Sequence, residues 1–231
     1  MAGASRIETR KAQILSAAER VFARKGFAEA TISDVAREAR ISEATIYEYF
    51  SSKEELLFSI PGDTTRRGNE ILAFHLNYMR GAANKLRGIV YHYLWFYQHH
   101  PDYAAVAMLI LKPNRKFIET EAYQAVREGF RLILDVIKAG MAAGEFRDDL
   151  DPYLVRAVIL GTIEHLVIRR LLLGQPDDLL SAVDHLADLI ISGIRREDAA
   201  RTINLRVTVD GPLPAGAVVP TKDRPPEGKR K

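Results

Sequence analysis

Cysteine is absent from this chain of 231 residues. That excludes disulfides, thiolate metal sites and thiol nucleophiles. No apolar run reaches the roughly eighteen residues a membrane-spanning helix needs. The opening MAGASRIETRKAQ lacks the apolar stretch of a signal peptide, so a soluble cytoplasmic protein is expected. Catalytic signatures are missing too. There is no G-x-S-x-G, no phosphate-binding glycine loop and no His-x3-His pair, and His99 and His100 fall on different helix faces. No acid/base constellation can be named, so no metal, no cofactor and no enzyme activity are expected.

A strong charge of one sign is also lacking. The formal net charge is +3, and residues 1–60 hold nine Lys/Arg against nine Asp/Glu. A basic domain is the usual electrostatic footprint of nucleic-acid binding. Here any such reading must rest on a motif and on where individual charges point.

The motif lies in residues 31–57, TISDVAREARISEATIYEYFSSKEELL. Three helix starts are packed into it: Thr31 with Asp34, Ser42 with Thr45, and Ser52 with Glu55. The last has the S-x-x-E form of a reciprocal capping box. The intervening helices have room for only about two turns each. Ile32, Val35, Ala36 and Ala39 share one face of the first, and Ile46 and Phe50 one face of the second. Two short helices joined by the tight AREARIS turn form a helix-turn-helix, whose second helix fits a major groove. Ahead of them, Ile14, Ala17, Ala18, Val21 and Phe22 mark a helix over about 9–25 that Gly26 stops. The predicted site follows from side-chain direction. Ser42, Glu43, Ala44, Thr45, Tyr47 and Tyr49 lie on the surface left by Ile46 and Phe50. Ser33 opens the preceding helix, where its hydroxyl can donate to a phosphate. Glu43 suits direct readout, because a carboxylate accepts from cytosine N4 and is repelled by phosphate.

The string TISDVAREARIS-x-x-TIY-x-YF-x-x-KEEL resembles the DNA-binding head of the tetracycline-repressor (TetR) family of bacterial transcription regulators. The specific motifs cover residues 8–57; beyond them the likeness is an all-helical pattern of the expected length. The resemblance implies that Thr45 and Tyr47 touch operator bases and phosphates, and that Tyr49 and Lys53 grip phosphates. Arg40 departs from it, standing where the family usually has Gly; if φ is positive there, Arg costs roughly 1 kcal/mol.

The rest of the chain reads as helices between loop signals. A helix from Ser52 meets Ile60-Pro61-Gly62, a kink or break expected to act as a hinge, and resumes over 66–80. Further helices are predicted at 85–100, 101–111, 115–143, 152–173 and 178–196. The organisation is therefore all-α: a helix-turn-helix DNA-binding domain at 1–60, a helical ligand-binding and dimerisation domain at 61–196, and a tail at 197–231. Ile203, Leu205, Val207 and Val209 alternate with polar residues in that tail. An edge strand is one reading of it; disorder is the favoured one.

The helices at 152–173 and 178–196 carry more apolar surface than one face needs, which points to a homodimer through both. Two heads would then read a palindromic operator. The segment YHYLWFYQHHPDY (91–103) is the densest aromatic stretch and reads as a pocket wall or a core. Candidate ligand contacts are Tyr91, Trp95, Phe96, His99, Met108, Phe130, Glu164 and His165, with Phe117 and Tyr123 beside them. Glu164 and His165 qualify because polar groups in an apolar helix need partners, a cavity or an interface. The run GTIEHLVIRRLLLG is similar to that of TetR-family regulators of fatty-acid metabolism. That likeness implies an acyl-coenzyme A ligand, with Arg169 and Arg170 near its anionic groups.

The expected function is sequence-specific transcription regulation by a homodimer, repressing until a small hydrophobic inducer releases it from a double-stranded DNA operator. Activation instead of repression stays open. So does a ligand-binding helical scaffold without specific DNA recognition, which the neutral head and Arg40 would suit.

Overall fold

The computed structural model describes residues 2–196. The readings of the tail at 197–231 lie outside them. Among the described residues all regular structure is helical, as expected, and no helix is long and apolar enough to cross a membrane.

Helix α1 (Ala2–Glu29) buries Ile14, Ala17, Ala18, Val21 and Phe22 completely, and is broken at Gly26, whose φ is 74°. Thr31 caps α2 (Ile32–Ala39) in a closed capping box: its hydroxyl accepts from the Asp34 N–H while Asp34 accepts from the Thr31 N–H. Arg40 ends α2 in the left-handed conformation, φ 55° and ψ 47°. In the turn it creates, the Ile41 N–H donates to the Ala36 carbonyl at 3.0 Å. Ser42 caps α3 (Glu43–Tyr47), whose Ile46 is buried with Phe50 on the head core.

The capping box expected at Ser52 is only half formed. Ser52 accepts from the Glu55 N–H at the start of α4 (Lys53–Ser59), but the Glu55 carboxylate turns to the N–H and hydroxyl of Ser51 instead. Both Ser51 donors converge on one Glu55 carboxylate oxygen, so the carboxylate is held one residue upstream of the cap. After α4 the chain kinks without unwinding: Ile60 keeps helical angles (φ −56°, ψ −50°), and Pro61 takes the first position of α5 (Pro61–Tyr78). Pro is tolerated there because its missing N–H has no partner to lose.

Helices α6 (Ala82–His99) and α7 (Pro101–Ala105) follow. The helix expected over 101–111 widens after Ala105 into a π turn, Val106–Leu111, with the Lys112 N–H donating to Ala107 five residues back at 3.0 Å. Two other expectations need correction. The helix predicted over 115–143 is a 3₁₀ turn (Arg115–Glu119) and then α8 (Ala122–Ala142). Thr120, extended between them, accepts the Tyr123 N–H and so starts α8 afresh. The helix predicted from Asp178 is likewise a 3₁₀ turn (Leu179–Ala182) followed by α10 (Val183–Ile194). Between the two lies α9 (Pro152–Leu173), capped by Asp151 and ended by Gly174.

Two cores result. One is built from α5, α6, α8, α9 and α10. The other belongs to the head, yet does not close at residue 60: Tyr103, Val106, Leu111 and Phe117 are buried within it. The α7–π segment is thus a wedge of the second half of the chain seated in the first.

Candidate DNA-binding face and ligand cavity

The α3 surface carries exposed Glu43, Ala44 and Glu48, and Tyr47 is 53% exposed. Ser33 is exposed in the first turn of α2. Other predicted contacts are already engaged. The Ser42 hydroxyl accepts from the Thr45 N–H at 3.1 Å and pairs with the Thr45 hydroxyl at 2.9 Å. Tyr49 is half-buried against the head core. Lys53 donates to the carbonyls of Phe27 and Ala30, each at 2.8 Å, and its ammonium lies 4.5 Å from the centre of the Phe27 ring. Two of its three N–H groups serve the end of α1, leaving one for a phosphate.

Cations elsewhere in the head face carboxylates. Glu38 pairs with Arg20 at 2.7 Å and Arg24 at 3.6 Å. Asp34 pairs with Lys25 at 2.7 Å. Hydrogen bonds from these partners hold both carboxyls below the usual range, Asp34 very far below through Lys25 and Thr31. Among the described residues no ion pair is seen for Arg10, Lys11 or Arg40. Of the head's nine carboxylates, Asp34 and Glu38 are thus paired within the head, while Glu43 and Glu48 stay exposed on the α3 surface.

The second half of the chain encloses a cavity of about 480 Å³, within the usual range for small-molecule sites. Pro61, Thr65 and Asn69 of α5 form one side and Phe96 and Tyr97 of α6 another. The wedge contributes Tyr103, Met108 and Leu111, the helical stretch after it Phe117, Tyr123 and Phe130, and α9 Leu160 and Ile163. Its polar groups are few and mostly satisfied. Tyr103 and Thr65 share a hydrogen bond of 2.7 Å, and Asn69 donates to the Ala125 carbonyl at 2.7 Å. Lys112 pairs with Glu164. Burial keeps the Tyr93 and Tyr97 hydroxyls protonated far above ordinary pH, pushes Tyr103 up to about 12 and lowers His92, so these groups act as neutral hydrogen-bonders. Arg156 also lines the cavity, its guanidinium 5.8 Å from the Phe130 ring centre and 5.4 Å from that of Tyr153, with no ion pair seen for it among the described residues.

Of the predicted ligand contacts, Phe96, Met108, Phe130 and Glu164 line this cavity, as do Phe117 and Tyr123. Tyr91, Trp95, His99 and His165 do not; all four are exposed. Trp95 and His99 stack on each other at 4.5 Å on the outer face of α6. The aromatic run therefore splits by helix face, with only its 92, 93, 96 and 97 side turned inward. Arg170 donates to the carbonyls of Pro176 and Asp177, tying down the turn after α9, and Arg169 is exposed away from the cavity. The guanidinium at the cavity is Arg156, which sequence reasoning missed. It lies eight positions before Glu164, about 80° away around the helix, so spacing alone gave only a weak signal for it.

Comparison with known proteins places both halves. Residues 14–60 match the family described as bacterial regulatory proteins, tetR family, and residues 70–193 match the YsiA-like protein C-terminal region. The fatty acid metabolism regulator protein of Bacillus subtilis (strain 168) is 27% identical over 186 residues, spanning 80% of this chain and 95% of that protein. The HTH-type transcriptional repressor NicS of Pseudomonas putida is 28% identical over 196 residues, 79% of this chain and 91% of its own. Among solved structures, the transcriptional regulator FadR from Bacillus subtilis in complex with stearoyl-CoA superimposes with a TM-score of 0.73 at 26% identity, covering 79% of this chain and 98% of that one.

Proposed function

This chain belongs to the TetR family and is a DNA-binding transcriptional regulator with a ligand-binding domain, not an enzyme; from that premise we propose a homodimeric repressor released from a palindromic operator by a long-chain acyl-coenzyme A. The heads place α3 in successive major grooves, with Tyr47, Glu43 and Ala44 toward the bases. Ser33, Ser42, Thr45, Tyr49 and the remaining donor of Lys53 reach phosphates. Dimerisation runs through α9 and α10, which together leave Leu154, Val158, Leu172, Leu173 and Leu189 exposed. A domain division near residue 60 follows from the same reading, with the kink at Ile60 as its hinge.

The observation that carries the proposal is the sharing of side chains between cavity and head. Tyr103, Leu111 and Phe117 line the cavity and are also buried in the head core. A ligand pressing on them acts on the packing that seats α1. It moves the equilibrium only by binding more tightly to the conformation whose heads are wrongly spaced for DNA. The apolar lining suits an acyl chain, and Arg156 supplies positive charge for an anionic end, Lys112 being paired with Glu164. The acyl-coenzyme A assignment is supported by the stearoyl-CoA complex of the Bacillus subtilis relative. The scaffold reading is not favoured, since both halves match regulators.

The test is a gel-shift titration against DNA flanking the protein's own gene, with excess nonspecific competitor. A discrete shift that survives competitor and is reversed by stearoyl-CoA is expected. No shift there, and no motif enriched from random sequence, would overturn the repressor reading. A shift that stearoyl-CoA leaves unchanged would remove the ligand alone.

A further inference from the structure

Tyr103 of the cavity wall finds a protein partner in Thr65, but Tyr93 of α6 does not. It lines the cavity, and among the described residues no hydrogen bond is seen for its hydroxyl. No fully buried side-chain nitrogen or oxygen lacks a partner among those residues, so this hydroxyl faces the cavity space. Asn69 of α5, also on the lining, is held by one half of its amide: Nδ2 donates to the Ala125 carbonyl at 2.7 Å. The other half, Oδ1, meets no donor among the described residues. Both free atoms converge on Gly129, one turn after Ala125 on α8. A Cβ on Gly129 would stand 2.6 Å from Asn69 Oδ1 and 3.1 Å from the Tyr93 hydroxyl oxygen. Glycine at this position lets a donor and an acceptor stand together in a mostly apolar cavity.

We propose that Tyr93 and Asn69 form a hydroxyl subsite, and that the inducer is an acyl compound whose chain carries a hydroxyl group. The inference rests on the acyl-ligand reading and narrows it to one chemical class. The two atoms select the group. Burial holds the Tyr93 phenol well above ordinary pH, so it keeps a proton to donate. Asn69 Oδ1 can only accept, since the Ala125 carbonyl fixes which end of the amide faces it. A ligand hydroxyl accepts from the first and donates to the second. A ketone would satisfy Tyr93 alone, and a methylene neither. A saturated chain passing here strips both atoms of water and offers nothing in return. A site built to hydrogen-bond a hydroxyl rejects the analogue lacking it for that reason.

Calorimetry on the full chain tests this by comparing stearoyl-CoA with hydroxystearoyl-CoA isomers whose hydroxyl is stepped along the chain. At least one isomer is expected to bind about tenfold more tightly than stearoyl-CoA, the effect of one well-made hydrogen bond. Tyr93→Phe keeps the ring and should bring that isomer and stearoyl-CoA within about twofold of each other. Should Tyr93→Phe not fold, Gly129→Ala is read in the same way, because its methyl group would push on both polar atoms. If stearoyl-CoA binds and no isomer binds more tightly, the subsite is overturned and the acyl reading stands; the two atoms would then hold water beside a plain chain. A preference that persists in the variant would also overturn the subsite, placing the hydroxyl elsewhere. If neither stearoyl-CoA nor any isomer binds, the acyl reading fails and the subsite with it.

Discussion

The hydroxyls of Thr65 and Tyr103 lie 2.7 Å apart, joining the helix that leaves the head to the wedge that returns to it. Both residues line the cavity, and the Tyr103 ring is buried in the head core. Tyr103→Phe keeps the ring and deletes the bond. A loss of about 1 kcal/mol in urea unfolding is expected, typical of one neutral hydrogen bond. Combined with Thr65→Val in a double-mutant cycle, the two changes should be non-additive by about 0.5 kcal/mol or more. Strict additivity would mean the pair contributes nothing.

Lys53 tests structure against contact. Its two bonds to the carbonyls of Phe27 and Ala30 tie the start of α4 to the end of α1. Lys53→Met should destabilise the protein by about 2 kcal/mol, since hydrogen bonds from a charged group are worth more than neutral ones. Unchanged denaturant midpoints together with weakened operator binding would reassign Lys53 as a phosphate contact only.

Tyr47→Ala is expected to do the opposite. Tyr47 is exposed, so stability should stay within about 0.5 kcal/mol of wild type. Specific operator binding should fall at least about tenfold in the competitor gel shift. Wild-type affinity would remove Tyr47 from the interface.

Glu19 makes stability pH-dependent. Burial first, and then Asp102 of α7, push its carboxyl from 4.5 up to about 7, with Arg20 opposing. Because the folded value lies above the unfolded one, the stabilising contribution is complete below about pH 4.5 and is lost as pH rises through about 7. Glu19→Gln should therefore match wild type near pH 4.5 and exceed it above pH 7. After allowance for the part of the group left in water, the gain is about 1 kcal/mol. Denaturant midpoints across that range check it, and parallel curves would show that the carboxyl titrates normally in the fold.

Arg156→Ala should weaken stearoyl-CoA more than it weakens an uncharged acyl compound of the same length. A difference of roughly tenfold is expected for one charge-assisted contact. Equal losses, read by calorimetry on both ligands, would assign Arg156 to packing on Phe130 and Tyr153 alone.

Much of the head was legible because its signals are local. A capping oxygen, a four-residue apolar spacing and a tight turn act within a few residues, so Thr31, Ser42, Ile46 and Phe50 could be placed from order alone. The Ser52 box misread its partner by one residue, since Ser51 and Ser52 present equivalent sequence signals and only the backbone path separates them. An apolar pattern runs unbroken through 115–143 and 178–196, and hides both Thr120, extended between two helical segments, and the 3₁₀ winding of Leu179–Ala182.

The cavity was legible only in part. Its aromatic content was plain, but facing depends on how α6 is rotated against its neighbours. That rotation turned Phe96 inward and left Tyr91, Trp95 and His99 outside. The sequence by itself determined the helical class, the motif that meets DNA and the apolar character of the ligand site, all properties of neighbours along the chain. Tertiary structure alone decided that Tyr103, Leu111 and Phe117 serve cavity and head at once, and that Arg156 lines the cavity. These relations join residues far apart in sequence, and packing sets them.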